Sequence, residues 1–200
     1  MIAALVFALS LPYVTHAATP QGAALGVLYP HSGVTVLRVN VVGKYATVLT
    51  RGATMEGAPV KGSLLLEHFS FGWQALALLD YCRFDKGFSA RDRSMLLQGM
   101  PAPRGADDCV SLGDSGPQRD IESVRLLMHG LIPYVVVRGD YAVGEWYGSG
   151  GGQHFYRKGN GTWGRIGGSG GSMSASEVMA LGVPAKDLCA FHVYDAHCSP

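Results

Sequence analysis

Branched and aromatic residues of this chain gather in short runs separated by Gly, Asn and Asp, and an apolar stripe recurs at helical spacing in few places. Tyr134 to Arg138 and Tyr141 to Tyr147 read as strands joined by a tight turn at Gly139-Asp140. Gly152 to Arg157 and Thr162 to Ile166 flank Lys158-Gly159-Asn160-Gly161, whose Asn-Gly pair is a strong hairpin signal. Ser174-Ala175-Ser176-Glu177 opens a short helix with a capping-box pattern, and Gly182 with Pro184 ends it. An earlier helix, from about Gln118 to Gly130, carries Ile121, Val124, Leu127 and Met128 on one side. Upstream, Val34 to Thr50, Ser63 to Phe69 and Trp73 to Leu79 read as strands, followed by a helix near Ala90 to Gln98.

The two halves lie over each other. Val42-Gly43-Lys44-Tyr45-Ala46 matches Arg138-Gly139-Asp140-Tyr141-Ala142 at an offset of 96 residues. Gly62 and Trp73 match Gly152 and Trp163 at 90, and Gly99-Met100-Pro101-Ala102 matches Gly182-Val183-Pro184-Ala185 at 83. The offset shrinks only across connections, where duplicated folds tolerate insertions. The expected fold is α+β: two tandem copies of an antiparallel meander plus helix, with helices on one face of the sheet or sheets. The expected organisation is a signal at 1–17, a first repeat at 18–101, a connection at 102–117 and a second repeat at 118–200. Trp73 and Trp163 recur in both copies and are expected in the core.

Composition narrows the class. The chain has 200 residues, 48% hydrophobic and 16% charged, with a net charge of +1, which excludes a disordered or strongly basic nucleic-acid-binding protein. Glycine is in excess, 28 residues, in keeping with many turns. Ile2 to Val14 is uncharged and mostly apolar, and Thr15-His16-Ala17 offers a signal-peptidase site after Ala17. That run is too short to span a membrane, so the expectation is an exported, periplasmic or secreted protein with no remaining membrane span. Cys82, Cys109, Cys189 and Cys198 are an even number for such a chain, and the sequence-local pairs Cys82–Cys109 and Cys189–Cys198 are favoured as disulfides.

Gly139-Asp140-Tyr141-Ala142, Trp146, Gly151-Gly152, Gly161-Thr162-Trp163, Gly167-Gly168 and Gly182-Val183-Pro184 together resemble small exported bacterial domains of unknown function. The resemblance covers residues 119–185, and some of those domains are labelled copper-uptake-associated. Their meander is similar to cystatin-like and nuclear-transport-factor-like α+β folds. In those domains a Cys often follows the tryptophan strand, where this chain has Gly167-Gly168. The shared positions are turn glycines and core tryptophans, so the resemblance implies a fold and no chemistry.

Several strings invite a chemical reading. Gly113-Asp114-Ser115-Gly116-Pro117 is close to a serine-protease nucleophile motif, and Asp195-Ala196-His197-Cys198 to its histidine motif, but their order along the chain is reversed. A helix cap is the plainer reading of Ser115. Ser115 with Asp195 and His197 is therefore an alternative catalytic set, and His192, Asp195 and His197 an alternative copper or zinc set. Gly148 to Gly152 and Gly167 to Ser172 lack the lysine of a phosphate-binding loop and read as turns or bulges. Trp146-Tyr147 is the most open aromatic pair and the candidate ligand-binding position. No cofactor is implied. The expectation is a non-catalytic exported protein that binds a protein, an envelope component or a small ligand, an inhibitor or immunity-type role being one instance.

Overall fold

The computed structural model describes residues 16–28, 33–53, 59–79, 88–101, 113–147, 151–193 and 196. Among them are four α-helices and two antiparallel sheets, a mixed α+β architecture that is mostly sheet. The first sheet combines β1 (His16–Ala17), β2 (Thr35–Val42), β3 (Tyr45–Ala53), β4 (Pro59–Phe69) and β5 (Gly72–Leu78) in the order β1-β5-β4-β3-β2. The second holds β6 (Val135–Arg138), β7 (Tyr141–Tyr147), β8 (Gly151–Gly159) and β9 (Thr162–Gly170) in sequential order. Helix α1 (Pro20–Leu28) precedes β2, α2 (Ala90–Leu96) follows β5, α3 (Gln118–Arg125) precedes β6 and α4 (Ala175–Ala180) follows β9. No helix among the described residues is long and apolar enough to cross a membrane.

The same pairing recurs in both sheets. Tyr45 lies opposite Glu67 and His68 opposite Trp73, while Tyr141 lies opposite Arg157 and Lys158 opposite Trp163. Each of these positions carries the offset, 96 or 90, read from the sequence alone. A bulge sits between Leu65 and Leu66 of β4, and another between Phe155 and Tyr156 of β8, again 90 residues apart. Gly43 and Gly139 open the β2–β3 and β6–β7 turns with φ of +58° and +55°, which L side chains rarely adopt. At the β8–β9 turn Asn160 and Gly161 both have positive φ, as a type I′ hairpin requires.

Helices cover both faces of each sheet, which corrects the expectation of a single helical face. On the first sheet, Leu64, Leu66, Ala46 and Trp73 pack with Ala23 and Ala24 of α1, while Leu65, Leu76 and Phe69 pack with Leu96 of α2. On the second, Val137, Ala142, Tyr156 and Trp163 pack with Ile121 and Val124 of α3, and Val143 and Phe155 with Val178 of α4. The cause is that successive strand residues point to opposite faces, and here both faces are apolar. Trp73 and Trp163 are core residues, 8% and 6% exposed. Asp120, in the first turn of α3, accepts from Lys158 Nζ at 2.6 Å and Trp163 Nε1 at 3.0 Å, pinning α3 to β8 and β9. Those two donors hold its carboxyl below the ordinary carboxylate range, Lys158 foremost.

Where the halves meet, Arg125 is 1% exposed and fully engaged. Its Nε and Nη2 grip Asp114 at 3.0 and 2.7 Å, its Nη1 donates to Gln74 Oε1 and to the Ile132 carbonyl, and its plane lies 4.6 Å above the Phe69 ring. Ile132 N donates to Ala75 O at 3.1 Å, so the chain entering β6 touches the edge of β5. A cavity of about 290 Å³ opens here between Lys44, Tyr45, Glu67, Asp114, Gln118 and Arg125. Its ionic groups neutralise one another: Lys44 Nζ bonds Glu67 at 2.5 Å and Arg125 holds Asp114.

His16 and Ala17 pair with Gln74 and Trp73, so the residues just before the expected signal cut form the edge of the first sheet. Of the run Gly167 to Ser172, read as turns or bulges, Gly167 to Gly170 continues β9 directly after the register shift that leaves Ile166 unpaired, and Gly171 N donates to Gly151 O.

Candidate ligand-binding site

The second sheet carries an unusual row on the face that α3 packs against. Trp146 of β7 faces Gly152, and the neighbouring pairs place Gly144 opposite His154 and Ala142 opposite Tyr156. Alternation on β8 therefore sets His154 and Tyr156 on one face, with Trp146 diagonal to His154. The Trp146 and His154 ring centres are 5.5 Å apart and tilted at 37°, and His154 lies 6.5 Å from Tyr156, edge on. Arg165 of β9 is the cross-strand partner of Tyr156 and brings an exposed guanidinium to the rim. Among the described residues its one hydrogen bond runs from Nε to the Gly167 carbonyl, 3.3 Å.

Two glycines make room for this row. A Cβ on Gly144 would collide with Met128 Sδ, so the thioether closes down on β7 beside Trp146. At Gly168, with φ of +147°, a Cβ would stand 2.6 Å from His154 Cδ2, so the imidazole lies against bare β9 backbone. Met128, Tyr156 and Trp163 belong to one cluster, and Trp146 packs on its margin.

The row is not satisfied internally. Tyr156 is 1% exposed, yet its hydroxyl has no hydrogen-bond partner among the described residues, and the same is true of the buried Trp146 Nε1. A buried polar group left unpaired costs about 1–3 kcal/mol. Burial pushes the Tyr156 phenol up to about 12, with Arg165 pulling the other way. Burial also lowers the His154 imidazole to about 4, helped by Arg165 and then His129. At neutral pH the site thus holds a neutral imidazole, two unused donors and one cation.

The first sheet supplies an internal comparison. Relative to its own bulge and hairpins, Leu66 stands where Tyr156 does, Leu64 where His154 does, and Ala75 where Arg165 does. Leu64, Leu66 and Ala75 are all fully buried in an apolar cluster. The architecture does not call for polar groups at these positions.

Other candidates from the sequence fall elsewhere. Tyr147 is in β7 next to Trp146, and its side chain lies outside the described residues, as do Cys82, Cys109, Asp195, His197 and Cys198. Cys189, the one described cysteine, is disulfide-bonded. His192 is exposed in a turn, with φ of +55° and its ring 5.5 Å from Tyr134. Among the described residues no three His, Cys, Asp or Glu side chains converge as a metal site. Ser115 exchanges backbone bonds with Val135 and Val137 in a parallel bridge to β6, and its hydroxyl bonds nothing described. It does not cap α3: Pro117 is the N-cap, because Gly116 at φ +130° turns the chain between them. The Asp114 carboxylate of the same string is occupied by Arg125 and by the Val135 amide.

Comparison with protein-family models, curated proteins and solved structures finds no match to this chain. Its function is therefore read from geometry alone. Sequence reading picks out the Trp146-Tyr147 pair, whereas His154, Tyr156 and Arg165 lie in its predicted strands without a role. The offset of 90 residues holds the missing signal, since it sets Leu64, Leu66 and Ala75 against His154, Tyr156 and Arg165.

Proposed function

We propose that this chain is an exported, non-catalytic binding protein built from one α+β unit written twice, whose second unit carries the ligand site. The carrying observation is that the Tyr156 hydroxyl and the Trp146 indole N–H, at the two ends of one row, both lack a hydrogen-bond partner among the described residues. Buried polar groups are nearly always hydrogen-bonded in a finished fold, so two orphan donors in one aromatic row mark where an outside acceptor belongs. The duplicated reading is supported by the shared register and the matching bulges. It explains the division of labour: at equivalent positions the first unit uses leucine and alanine as core, and the second uses tyrosine, histidine and arginine. Export is supported by the apolar leader at Ile2 to Val14 and by a disulfide at Cys189.

The test follows the indole N–H resonances of Trp73, Trp146 and Trp163 in nitrogen-15-labelled full-length protein. The probes are 4-hydroxybenzoate, 4-hydroxybenzamide and glucose, titrated separately. The binding reading expects at least one probe to move the Trp146 signal saturably while Trp73, in the core of the other sheet, stays fixed. No saturable movement with any of the three would overturn it.

A further inference from the structure

Resting on that binding reading, we infer that the second-sheet site takes a small organic carboxylate, its charged end between Tyr156 and Arg165 and a second acceptor reaching Trp146. The donor inventory decides the class. The Tyr156 hydroxyl, the Trp146 indole N–H and the Arg165 amino groups at the rim can all donate, and the neutral His154 imidazole between them adds one donor and one acceptor nitrogen. Arg165 and Tyr156 are direct cross-strand partners on one face, a guanidinium at the surface above a buried phenolic O–H, and a carboxylate can accept from both kinds of donor. Among the described residues no Asp or Glu acts on His154 or Tyr156, so none of those residues offers a competing anion. The Trp146 N–H lies beyond the intervening His154 ring, with centre-to-centre steps of 5.5 and 6.5 Å. One carboxylate is too short to meet both ends. The ligand therefore carries its second acceptor, a hydroxyl or carbonyl, at the far end of a spacer that passes the His154 ring.

The junction cavity fits such a ligand poorly, since its Arg125 and Lys44 already hold Asp114 and Glu67. A neutral sugar would satisfy the donors but leave the Arg165 charge unused.

The experiment compares 4-hydroxybenzoate with 4-hydroxybenzamide, which has the same shape and the same distal hydroxyl but no charge. Dissociation constants are measured by calorimetry at pH 7 on the full chain and on Arg165→Gln and Tyr156→Phe. Arg165 is exposed, so Arg165→Gln is expected to fold. The expected result is an acid bound roughly tenfold tighter than its amide, a preference that Arg165→Gln abolishes, and roughly tenfold weaker acid binding in Tyr156→Phe. Equal affinities, or a preference that survives Arg165→Gln, would overturn the carboxylate assignment while leaving a binding site intact. Failure of both probes while glucose still moves the Trp146 signal would also overturn the carboxylate assignment, and failure of all three would instead remove the reading on which it rests.

Discussion

Replacing Tyr156 by phenylalanine should make the ligand-free protein more stable. The substitution deletes one oxygen from a side chain that is 1% exposed and leaves the ring in place against Ala142 and Trp163. In most proteins the loss of a buried tyrosine hydroxyl costs a hydrogen bond, about 0.5–1.5 kcal/mol. Here the hydroxyl has no partner, so its deletion removes a desolvation penalty of about 1–3 kcal/mol. The dispersion attraction of a single oxygen atom is small by comparison, on the order of a few tenths of a kcal/mol. A net gain of about 1 kcal/mol corresponds to a rise of about 2–4 °C in Tm for a chain of this length. The assay is urea unfolding followed by far-ultraviolet circular dichroism, with disulfides intact and no organic acid in the buffer. A gain in midpoint at unchanged slope is the expected outcome. A loss of about 1 kcal/mol would mean that the hydroxyl is bonded within the fold, and the case for a ligand site would lose its foundation.

Three further outcomes follow from other parts of the molecule. Arg125→Met strands Asp114 at the junction and should cost about 3–5 kcal/mol by the same unfolding assay, partly recovered when Asp114→Asn is added; an effect below about 1 kcal/mol would show the pair to be incidental. His154 should titrate near 4, as its burial and the charges of Arg165 and His129 dictate. Because the unfolded imidazole takes up its proton near 6.5 and the folded one near 4, the contribution of this group to stability is complete above about 6.5 and lost as pH falls toward 4. In His154→Gln that acid-side loss should shrink, and a carbon-bound proton NMR titration giving an ordinary value for His154 would contradict the premise. Non-reducing peptide mapping should recover Cys82–Cys109 and Cys189–Cys198, and a Cys109–Cys189 peptide would refute the local pairing.

Local chemistry makes much of the second unit legible. Asn160-Gly161 and Gly139 announce their turns because few residues accept positive φ, and Ser174 with Glu177 forms the expected capping box on α4. The unexpected α1 has no apolar stripe to betray it: apart from Gln21, Pro20–Leu28 is nonpolar, and it buries small Ala23 and Ala24 closely against the sheet. Helices on both faces escape the sequence for a related reason. Strands such as Leu64-Leu65-Leu66 are apolar at consecutive positions, which periodicity alone does not assign to one face or two. Asp114 and Arg125, eleven residues apart, join only because the loop before α3 folds back beside its C-terminal end. A string resembling a nucleophile motif thus turns out to supply the half-buried counter-ion of a buried arginine. The candidate site is hidden because a buried tyrosine and histidine look like ordinary strand residues until the register aligns them with leucines.

A crystal structure of the protein grown with 4-hydroxybenzoate would be the most direct trial of a site on the second sheet. Density for the acid, with its carboxylate accepting from Tyr156 Oη and its hydroxyl within reach of Trp146 Nε1, is the result this account requires. An empty row in which both donors bond acceptors of the chain itself would contradict it.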